Sequence, residues 1–291
     1  MMTTTKKIDL HVHSTFSDGT CSPTELVKMA ETIGLSAIAV TDHDTTDGVS
    51  EARAAAAESG IEIIAGAELS CDYQGKEIHM LGFYLDPQNP VLMEHLIAFR
   101  ESRNTRNEKM VQLLAAEGFD ITYEKVLADN PDCVITRANV ARYLVEHGCV
   151  KDMDTVFSKY LGDDCRCFVP RRKVSPADAI GLIHQAGGLA FLAHPLLYRL
   201  STSALRGLLT ELSAAGLDGL EAIYSTYQPG DERNMKLLAA EYGLLISGGS
   251  DFHGTNKPRI KLGTGMGRLY VPYEVLSAIK DARNRLHTQE H

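Results

Sequence analysis

Short apolar runs that alternate with helical patterns are the feature of this sequence that most limits its fold. The runs IDLHVH, SAIAVTDHD and IEIIAGAELS come first, and amphipathic or Ala-rich segments separate them. Comparable runs return late in the chain at GLAFLAHP, DGLEAIY and LLISGGSDFHG. Strands that alternate with helices predict a largely parallel sheet with right-handed crossovers. About seven such units favour a closed α/β barrel over an open sheet.

A helical stretch interrupts this alternation. A fourth run, KEIHMLGFYLD, follows DYQGKE, which is typical of a hairpin turn. From about residue 87 to residue 169 the patterns are then mainly helical. We therefore predict a barrel domain formed by residues 1–86 and 170–291, with residues 87–169 inserted into it as a helical subdomain.

Composition limits the class of partner. The 291 residues carry a net charge of −9, which argues against broad contact with duplex DNA or RNA. A small anionic substrate stays possible, because bound metal ions reverse the local sign of the charge. The sequence shows no apolar segment typical of a secretory signal and no run long enough to span a membrane. We therefore expect a cytoplasmic protein that does not bind membranes, with its six cysteines reduced.

Histidines and carboxylates collect at the ends of the apolar runs. The carboxyl ends of parallel barrel strands share one rim, so side chains that are distant in sequence meet there. Imidazole and carboxylate ligands together suit Zn, Mn and Fe, whereas a structural zinc site is usually rich in thiolates. The candidate ligands are His11, His13, Asp18, His43, Glu68, His79, His194, Asp251 and His253.

Ordinary structural roles compete with metal binding at several of these positions. Asp18 precedes Gly19, a pair that is typical of an Asx turn, and Asp47 is a good candidate for a helix cap. His79 has the weakest case because a histidine in a hairpin is common. Glu68 has a strong case, since an unpaired carboxylate ending so apolar a strand would be costly. We expect surface or packing roles for His95, His147 and His184, and a place in a C-terminal tail for His287 and His291.

Several motifs together resemble one known family. HVHSTFSDGT, VTDHD, GAELS, IHMLGFYLD, LAHP and SGGSDFHG, in that order, resemble the PHP (polymerase and histidinol phosphatase) family of metal-dependent phosphoesterases. The segments ITRANVARYLVEHG and KYLGDDCRCFVPRRKVSPADAIGLIHQAGGLAFLAHP are similar to the subgroup of 3′,5′-nucleoside bisphosphate phosphatases, some of which also trim 5′-phosphorylated RNA. The resemblance implies a distorted (β/α)7 barrel with the helical insertion.

The same resemblance implies two to three divalent ions (Mn, Fe or Zn) and assigns their ligands. The first set of ligands is His11, His13, Glu68 and Asp251. The second set is Glu68, His79 and His194, so that Glu68 bridges two ions. The third set is Asp18, His43 and His253.

The implied reaction is hydrolysis of the 3′-phosphate of a 3′,5′-bisphosphorylated nucleoside by a metal-bound hydroxide, with short 5′-phosphorylated RNA as a further substrate. The catalytic candidates are Asp18, His43, Glu68 and Arg137, and the substrate-binding candidates are Arg137, Asn139, Arg171, Arg172 and Lys173. Asn139 departs from the subgroup, which reads RPH where this chain reads RAN, and we expect it to face the substrate. Asp42 and Asp44 are expected to orient histidine ligands.

Three other functions compete with this hypothesis. A histidinol-phosphatase-like enzyme uses the same metal chemistry on another phosphate ester. An amidohydrolase-type barrel that cleaves C–N bonds also carries histidine and aspartate ligands at its rim. A non-catalytic nucleotide-binding module would use metal only for folding, but an open site with many ligands argues against it because structural sites are usually closed.

Overall fold

Seven consecutive strands lie side by side in the order of the chain, and an eighth lies beyond the first. The computed structural model describes residues 6–171 and 173–289. The strands are β1 (Lys7–Val12), β2 (Leu35–Val40), β3 (Glu62–Tyr73), β4 (Lys76–Phe83), β5 (Leu189–Leu192), β6 (Gly219–Tyr224), β7 (Leu245–Gly249) and β8 (Val271–Pro272). The helices are α1 (Pro23–Thr32), α2 (Gly48–Ala56), α3 (Pro90–Ala116), α4 (Tyr123–Ala128), α5 (Arg137–Glu146), α6 (Met153–Val156), α7 (Pro176–Gln185), α8 (Thr202–Ala214), α9 (Pro229–Glu241) and α10 (Tyr273–Gln289).

The end of β7 returns to β1 and closes the barrel. The backbone N–H of Asp251 donates to the carbonyl of His11 (2.8 Å), and Phe252 forms a parallel bridge with Val12. Gly249 allows this approach, because a Cβ at that position would lie 2.4 Å from the backbone nitrogen of His11. The distorted (β/α)7 barrel predicted from the sequence is therefore confirmed.

One barrel strand departs from the parallel direction, in keeping with the hairpin turn predicted at DYQGKE. β4 is antiparallel to both β3 and β5, whereas β1, β2 and β3 are parallel, as are β5, β6 and β7. The cause is the tight turn at Gln74 and Gly75, whose φ angles of 53° and 80° reverse the chain without a crossover helix. Because of this reversal, the first half of β4 lies at the rim formed by the carboxyl ends of the parallel strands.

Local sequence explains where the barrel helices begin. Ser22 accepts from the N–H of Glu25, the Glu25 carboxylate accepts from the N–H of Ser22, and Pro23 follows as the first helical residue of α1. Ser175 caps α7 in the same position before a proline. Asp47 forms no capping hydrogen bond, contrary to the sequence-based expectation, because its carboxylate pairs with Arg100 at 2.6 Å.

Helices α3 to α6 and a π-helical turn at Phe157–Leu161 make up the segment predicted as an insertion. The first half of α3 joins the barrel core through Leu92 and Leu96, whereas Met110 in its second half packs into a separate cluster with α5. The limits of the helical subdomain at residues 87 and 169 stay a prediction. No helix within residues 6–171 and 173–289 is long and apolar enough to cross a bilayer.

Candidate metal centre

Nine side chains converge at the rim where the parallel strands end. β1 and the turn after it carry three of them, and the other six come from β3, β4 and the segments after β2, β5 and β7. Seven of the nine are buried, and His43 and His79 are partly exposed. The full set is His11, His13, Asp18, His43, Glu68, His79, His194, Asp251 and His253, so the structure brings together every predicted ligand position.

The tightest group consists of two histidines and two carboxylates. The Nε2 atoms of His11 and His13 lie 3.1 Å apart, and they lie 3.3 Å and 3.2 Å from Oε2 of Glu68. Oδ1 of Asp251 lies 3.5 Å and 3.3 Å from the same two nitrogens. Ligands about 2.0–2.1 Å from a tetrahedrally bound zinc lie about 3.3 Å from each other. The separations in this group therefore fit a shared cation.

Glu68 connects this group to a second one through its other oxygen. Oε1 lies 2.8 Å from Nδ1 of His79 and 2.9 Å from Nε2 of His194. Nδ1 of His43 lies 3.3 Å from Oε2, so this histidine also reaches the carboxylate. One carboxylate thus has each oxygen directed at a different set of imidazoles, which is the arrangement a bridging ligand requires.

A third group surrounds Asp18. Nε2 of His253 lies 3.2 Å from Oδ1 of Asp18, and Nε2 of His43 lies 3.7 Å from Oδ2. Nδ1 of His13 lies 3.7 Å from Oδ1, and this buried atom has no hydrogen-bond partner among the described residues. His13 therefore faces two groups, one with each ring nitrogen. The unpartnered nitrogen is a further reason why the donor set fits metal ions.

The electrostatics of the cluster keep its carboxylates ionised. Burial alone would raise the pKa of Glu68, but His79 and His11 hold it well below its usual range. Burial alone would lower the pKa of His13, but hydrogen bonds with Asp251 and Glu68 raise it to about 9. Burial lowers the pKa of His43 to about 3 despite the nearby Asp18. Metal ions would therefore displace protons from some of the imidazoles on binding.

Side chains outside the nine hold the ligands in place. Oε1 of Glu221 lies 3.0 Å from Nδ1 of His11, and Oε2 accepts from the backbone N–H of His194 at 2.8 Å. The hydroxyl of Tyr224 donates to Oδ2 of Asp251 at 2.6 Å. Such partners fix the orientation of metal ligands. Sequence reasoning missed both residues, although a carboxylate within the apolar run GLEAIY was the signal that could have found Glu221.

Asp42 and Asp44 do not have the role expected from the sequence. Asp42 accepts from the backbone N–H of Ser14 (2.8 Å) and the hydroxyl of Ser17 (2.6 Å), so it fixes the turn that carries Asp18. Asp44 accepts instead from arginine side chains and from the N–H of Ser70. Neither carboxylate forms a hydrogen bond with a described histidine. Their hydrogen-bonding capacity is used instead by the turn that carries Asp18 and by the arginine side chains.

Three of the predicted substrate-binding residues lie beside the second group. Nη1 of Arg137 contacts Asp163 (2.7 Å), and its Nη2 lies 3.8 Å from Glu77. Nζ of Lys173 lies 2.5 Å from Glu77, which also contacts His79 at 3.2 Å. Arg171 is buried at its side chain and pairs with Asp44 at 2.9 Å. Arg172 lies outside the described residues.

Asn139 is placed differently from the sequence-based expectation. Its side chain is fully buried, where its Oδ1 accepts from the N–H of Thr136 at 2.8 Å. Its amide donates to the carbonyl of Ser17 and to Asn130, both at 3.0 Å. The amide is therefore committed to capping α5 and does not face a substrate. Thr136 beside it reaches the metal centre, with its hydroxyl 2.9 Å from Oδ2 of Asp18.

Two arginines of α3 complete a basic cluster that the sequence analysis did not identify. Arg103 bonds to Asp44 through Nε (2.7 Å), and Arg106 lies one helical turn further on. Arg106 is 5% exposed, its Nε donates to Asn107, and it forms no ion pair with any described residue. Burial, reinforced by the charges of Arg103 and Arg137, lowers the pKa of Arg106 to about 9. The cluster comprises Arg103, Arg106, Arg137, Arg171 and Lys173.

His95, His147 and His184 lie apart from this centre, as expected. His95 and His147 contact carbonyls of their own helices, and His184 pairs with Asp218 at 2.8 Å. The side chain of His287 and the whole of His291 lie outside the described residues. No cysteine belongs to the groups found within residues 6–171 and 173–289.

The sequence matches one family model and several named relatives. The model for the PHP domain matches residues 9–144. A Chromobacterium violaceum protein named 3′,5′-nucleoside bisphosphate phosphatase is 39% identical over 248 residues, which cover 84% of this chain and 87% of the relative. A Haemophilus influenzae protein named 5′-3′ exoribonuclease is 41% identical over 252 residues, covering 86% and 90%.

Solved structures share the whole fold. A Bifidobacterium adolescentis protein, described by inference as a metal-dependent phosphoesterase, matches with a TM-score of 0.85 and 32% identity over 96% of both chains. A Chromobacterium violaceum protein, described as an amidohydrolase with bound sulfate and no metal, matches with a TM-score of 0.84 and 36% identity, covering 95% of this chain and 96% of that chain. With the matched family model and relatives of this identity and coverage, the chain belongs to the PHP family of metal-dependent phosphoesterases.

Proposed function

We propose that this protein hydrolyses the 3′-phosphate of a 3′,5′-bisphosphorylated nucleoside, using two to three Mn, Fe or Zn ions held by the nine rim residues. The observation that carries the proposal is the basic cluster beside the ligands, in which the buried Arg106 forms no ion pair with any described residue. A substrate with two phosphates would use both regions. The names of the relatives from Chromobacterium violaceum and Haemophilus influenzae support a nucleotide substrate.

The ligand assignment follows the three groups at the rim. His11, His13 and Asp251 would hold one ion, His79 and His194 a second, and Glu68 would bridge the two. Asp18, His43 and His253 would hold a third, with Nδ1 of His13 directed at it. Divalent ions, when bound, would acidify water and withdraw charge from phosphate oxygens.

The basic cluster supports a site for the second phosphate. Four of its five cations pair with Asp44, Glu77 or, at the outer edge, Asp163. Arg106 forms no ion pair with any described residue, so a bound anion would relieve the cost of its buried charge. Guanidinium groups bind phosphate through paired N–H donors, which fixes its orientation as well as its charge. A phosphate held here would leave the other end of the nucleoside directed at the rim ligands.

The chain's own groups would also keep the reacting phosphate in place. Burial alone would raise the pKa of both Glu68 and Asp251. His79 and His11 hold the pKa of Glu68 well below its usual range, and Lys257 and His253 do the same for Asp251. Both carboxylates therefore stay ionised and would hold the cations that the phosphate needs. Tyr224 holds Oδ2 of Asp251, which leaves Oδ1 facing the imidazoles.

An amidohydrolase function is the alternative that the second solved structure raises. Hydrolysis of a C–N bond gives no role to a cluster of five cations beside the ligands. The excess positive charge thus favours a phosphorylated substrate. Histidinol phosphate, with a single phosphate, would also leave Arg106 without a partner.

The test begins with metal analysis of the purified protein. Phosphate release is then compared for 3′,5′-bisphosphorylated adenosine and histidinol phosphate, and amide hydrolysis is measured in parallel. We expect kcat/KM to favour the bisphosphate by at least about tenfold, because a charged hydrogen bond contributes about 1.5–3 kcal/mol. His13→Ala should abolish turnover even with added Mn. Equal rates on both phosphate esters would contradict the nucleotide assignment, and full activity of His13→Ala would contradict the metal assignment.

A further inference from the structure

The carboxylate of Glu77 contacts both the second group of ligands and the basic cluster. Its Oε1 lies 3.2 Å from Nε2 of His79 and 3.8 Å from Nη2 of Arg137. Its Oε2 lies 2.5 Å from Nζ of Lys173. Among the ion pairs of residues 6–171 and 173–289, no other carboxylate joins a rim histidine to a cation of the cluster.

The alternation of side chains along β4 explains this position. Residues two apart in a strand share one face. Ile78 and Met80 pack into the same core cluster as residues of α7, whereas Leu81 packs with residues of the other strands inside the barrel. Glu77 and His79 therefore share the inner face of β4 with Leu81. Because the hairpin places the start of β4 at the rim, Glu77 lies on the solvent side of His79.

The contact with Glu77 fixes which nitrogen of His79 faces the second ion position. Nδ1 lies 2.8 Å from Oε1 of Glu68, and Nε2 faces Glu77. An Nε2–H that donates to Glu77 leaves the lone pair of Nδ1 directed towards Glu68, and carboxylates commonly orient ligating histidines in this way. Nδ1 of His194 is buried without a hydrogen-bond partner among the described residues. Within the second group, control of an imidazole by a carboxylate outside the nine therefore depends on Glu77.

The cations of the cluster compete with His79 for the same carboxylate. Oε1 of Glu77 is shared between His79 and Arg137, and Oε2 is engaged by Lys173. A phosphate bound at the cluster would take Arg137 and Lys173 as its own donors, because guanidinium and ammonium groups bind phosphate through charged hydrogen bonds. Glu77 would then keep His79 as its partner. An anion at the cluster and a cation at the second ion position would each favour the other.

We propose that Glu77 is a positioning residue that couples the basic cluster to the second ion position. It holds His79 for the ion, and it gives up Arg137 and Lys173 when a phosphate binds. The inference rests on the proposed function, because it requires the second phosphate at the cluster and His79 among the ligands of an ion. A substrate with a single phosphate at the rim would leave Glu77 paired with the cations. The coupling therefore also favours a substrate with two phosphates.

The first experiment measures two affinities of the metal-free protein by titration calorimetry, one for adenosine 5′-monophosphate and one for Mn. Glu77→Gln should bind the nucleotide about threefold or more tightly, because a neutral amide competes less for Arg137 and Lys173. The same variant should bind Mn about tenfold or more weakly, because His79 loses the charge that orients it. A variant that was merely misfolded would bind both ligands more weakly, so the opposite directions identify a positioning role.

Two other variants serve as matched controls for the loss of charge. Glu221 orients His11 but forms no ion pair with the basic cluster in the described part of the chain. Glu221→Gln should therefore weaken Mn binding and leave the affinity for adenosine 5′-monophosphate unchanged. Glu94 is exposed on α3. Glu94→Gln changes the net charge by the same amount and should leave both affinities unchanged.

The second experiment measures the coupling itself. Mn affinity is determined with and without saturating adenosine 5′-monophosphate. The nucleotide should raise the Mn affinity of the wild-type protein by about fivefold or more, and Glu77→Gln should lose most of this increase. Direct attraction between the phosphate and the ion is present in both proteins, so the difference between them isolates the contribution of Glu77.

The outcomes separate this inference from the proposed function. Weaker Mn binding, tighter nucleotide binding and a smaller coupling in Glu77→Gln support it together. Unchanged Mn affinity, nucleotide affinity that does not rise, or equal coupling in the two proteins overturns it, and hydrolysis of the bisphosphate by the wild-type protein then leaves the proposed function standing. A wild-type protein that shows the coupling but does not hydrolyse the bisphosphate overturns the proposed function alone. A metal-free wild-type protein that binds no nucleotide overturns the second phosphate site and the coupling together.

Discussion

Glu68 is the residue on which the geometry of the candidate centre depends most. Its two oxygens face different sets of imidazoles, with His79 and His194 on one side and His11 and His13 on the other. It is buried within β3, which continues past it to Tyr73. Without cations, five imidazoles compete for one carboxylate. With cations, each oxygen would bind one ion, which makes Glu68 the natural bridge.

Glu221→Gln should weaken metal binding without unfolding the barrel. The amide keeps the size of the side chain but loses the charge that orients His11 through Nδ1. Loss of such a partner typically costs about 10–100-fold in metal affinity. Titration calorimetry with Mn on the metal-free protein measures the change. The matched control is Glu58→Gln, at an exposed position after α2, and equal affinities for the two variants would contradict a positioning role for Glu221.

Arg106→Gln should change stability and substrate binding in opposite directions. Arg106 is buried and has no ion-pair partner within residues 6–171 and 173–289, so removing its charge should raise the melting temperature in phosphate-free buffer. The same change should raise KM for the bisphosphate by about tenfold or more, because charged hydrogen bonds to phosphate are lost. Differential scanning calorimetry and steady-state kinetics give the two readouts. Arg100→Gln, at an exposed ion pair with Asp47, is the control, and a lower melting temperature for Arg106→Gln would contradict this account of the cluster.

At the scale of the elements, the strand ends and helix starts could be predicted, but the packing of α3 against the barrel could not. The position of Glu68 or Asp251 at the end of an apolar run is a local pattern, and the shared rim of a barrel then brings such residues together. Arg106 looks like any solvated arginine in sequence. Its burial depends on the packing of α3 across the rim. Local sequence patterns do not predict such a long-range contact. Glu221 was missed for a related reason, because its partner His11 is 210 residues away.

At the start of α5, the departure of this chain from the subgroup motif led to an expectation that the structure does not match. The sequence motif RAN suggested a substrate contact at Asn139, but the chain uses this side chain to cap the helix.

Asn139→Ala should lower the free energy of unfolding by about 2–3 kcal/mol, since several buried donors and acceptors lose their partners. Urea denaturation measures this loss, and KM for the bisphosphate should stay within about twofold of wild type. Asn234→Ala, exposed on α9, is the control. A large rise in KM with unchanged stability would restore the substrate-facing role.

At the scale of the whole molecule, the candidate metal centre links the closure of the barrel to the helical insertion. Residues from both ends of the chain meet at the rim, so that β1 and the segment after β7 are held together by His11, His13 and Asp251. The insertion is tied to the same place through Arg103 and Thr136. Cations bound at the rim would therefore cross-link the barrel closure and the insertion at once. Removing metal should therefore destabilise the barrel closure and the insertion together, in one transition.

The pH dependence of the metal-free protein follows from the same cluster. Burial alone would lower the pKa of His13 and His79. Contacts with Asp251 and Glu68 raise the pKa of His13 to about 9, and contacts with Glu68 and Glu77 raise that of His79 to about 9. A histidine with a raised folded-state pKa stabilises the fold fully below its unfolded value of about 6.5, and this stabilisation is lost as pH rises to about 9. In EDTA, the melting temperature should therefore fall between about pH 6.5 and 9.

Below about pH 6.5, His43 gives the stability of the metal-free protein the opposite dependence on pH. Burial lowers the pKa of His43 to about 3, so the folded state excludes a proton that the unfolded chain binds below about pH 6.5. Stability of the metal-free protein should thus peak near the lower edge of the window. The metal-loaded protein is the control, and its melting temperature should rise with pH over the same window, because metal ligands must be deprotonated. Parallel curves for the two forms would show that the clustered imidazoles are not the groups that titrate.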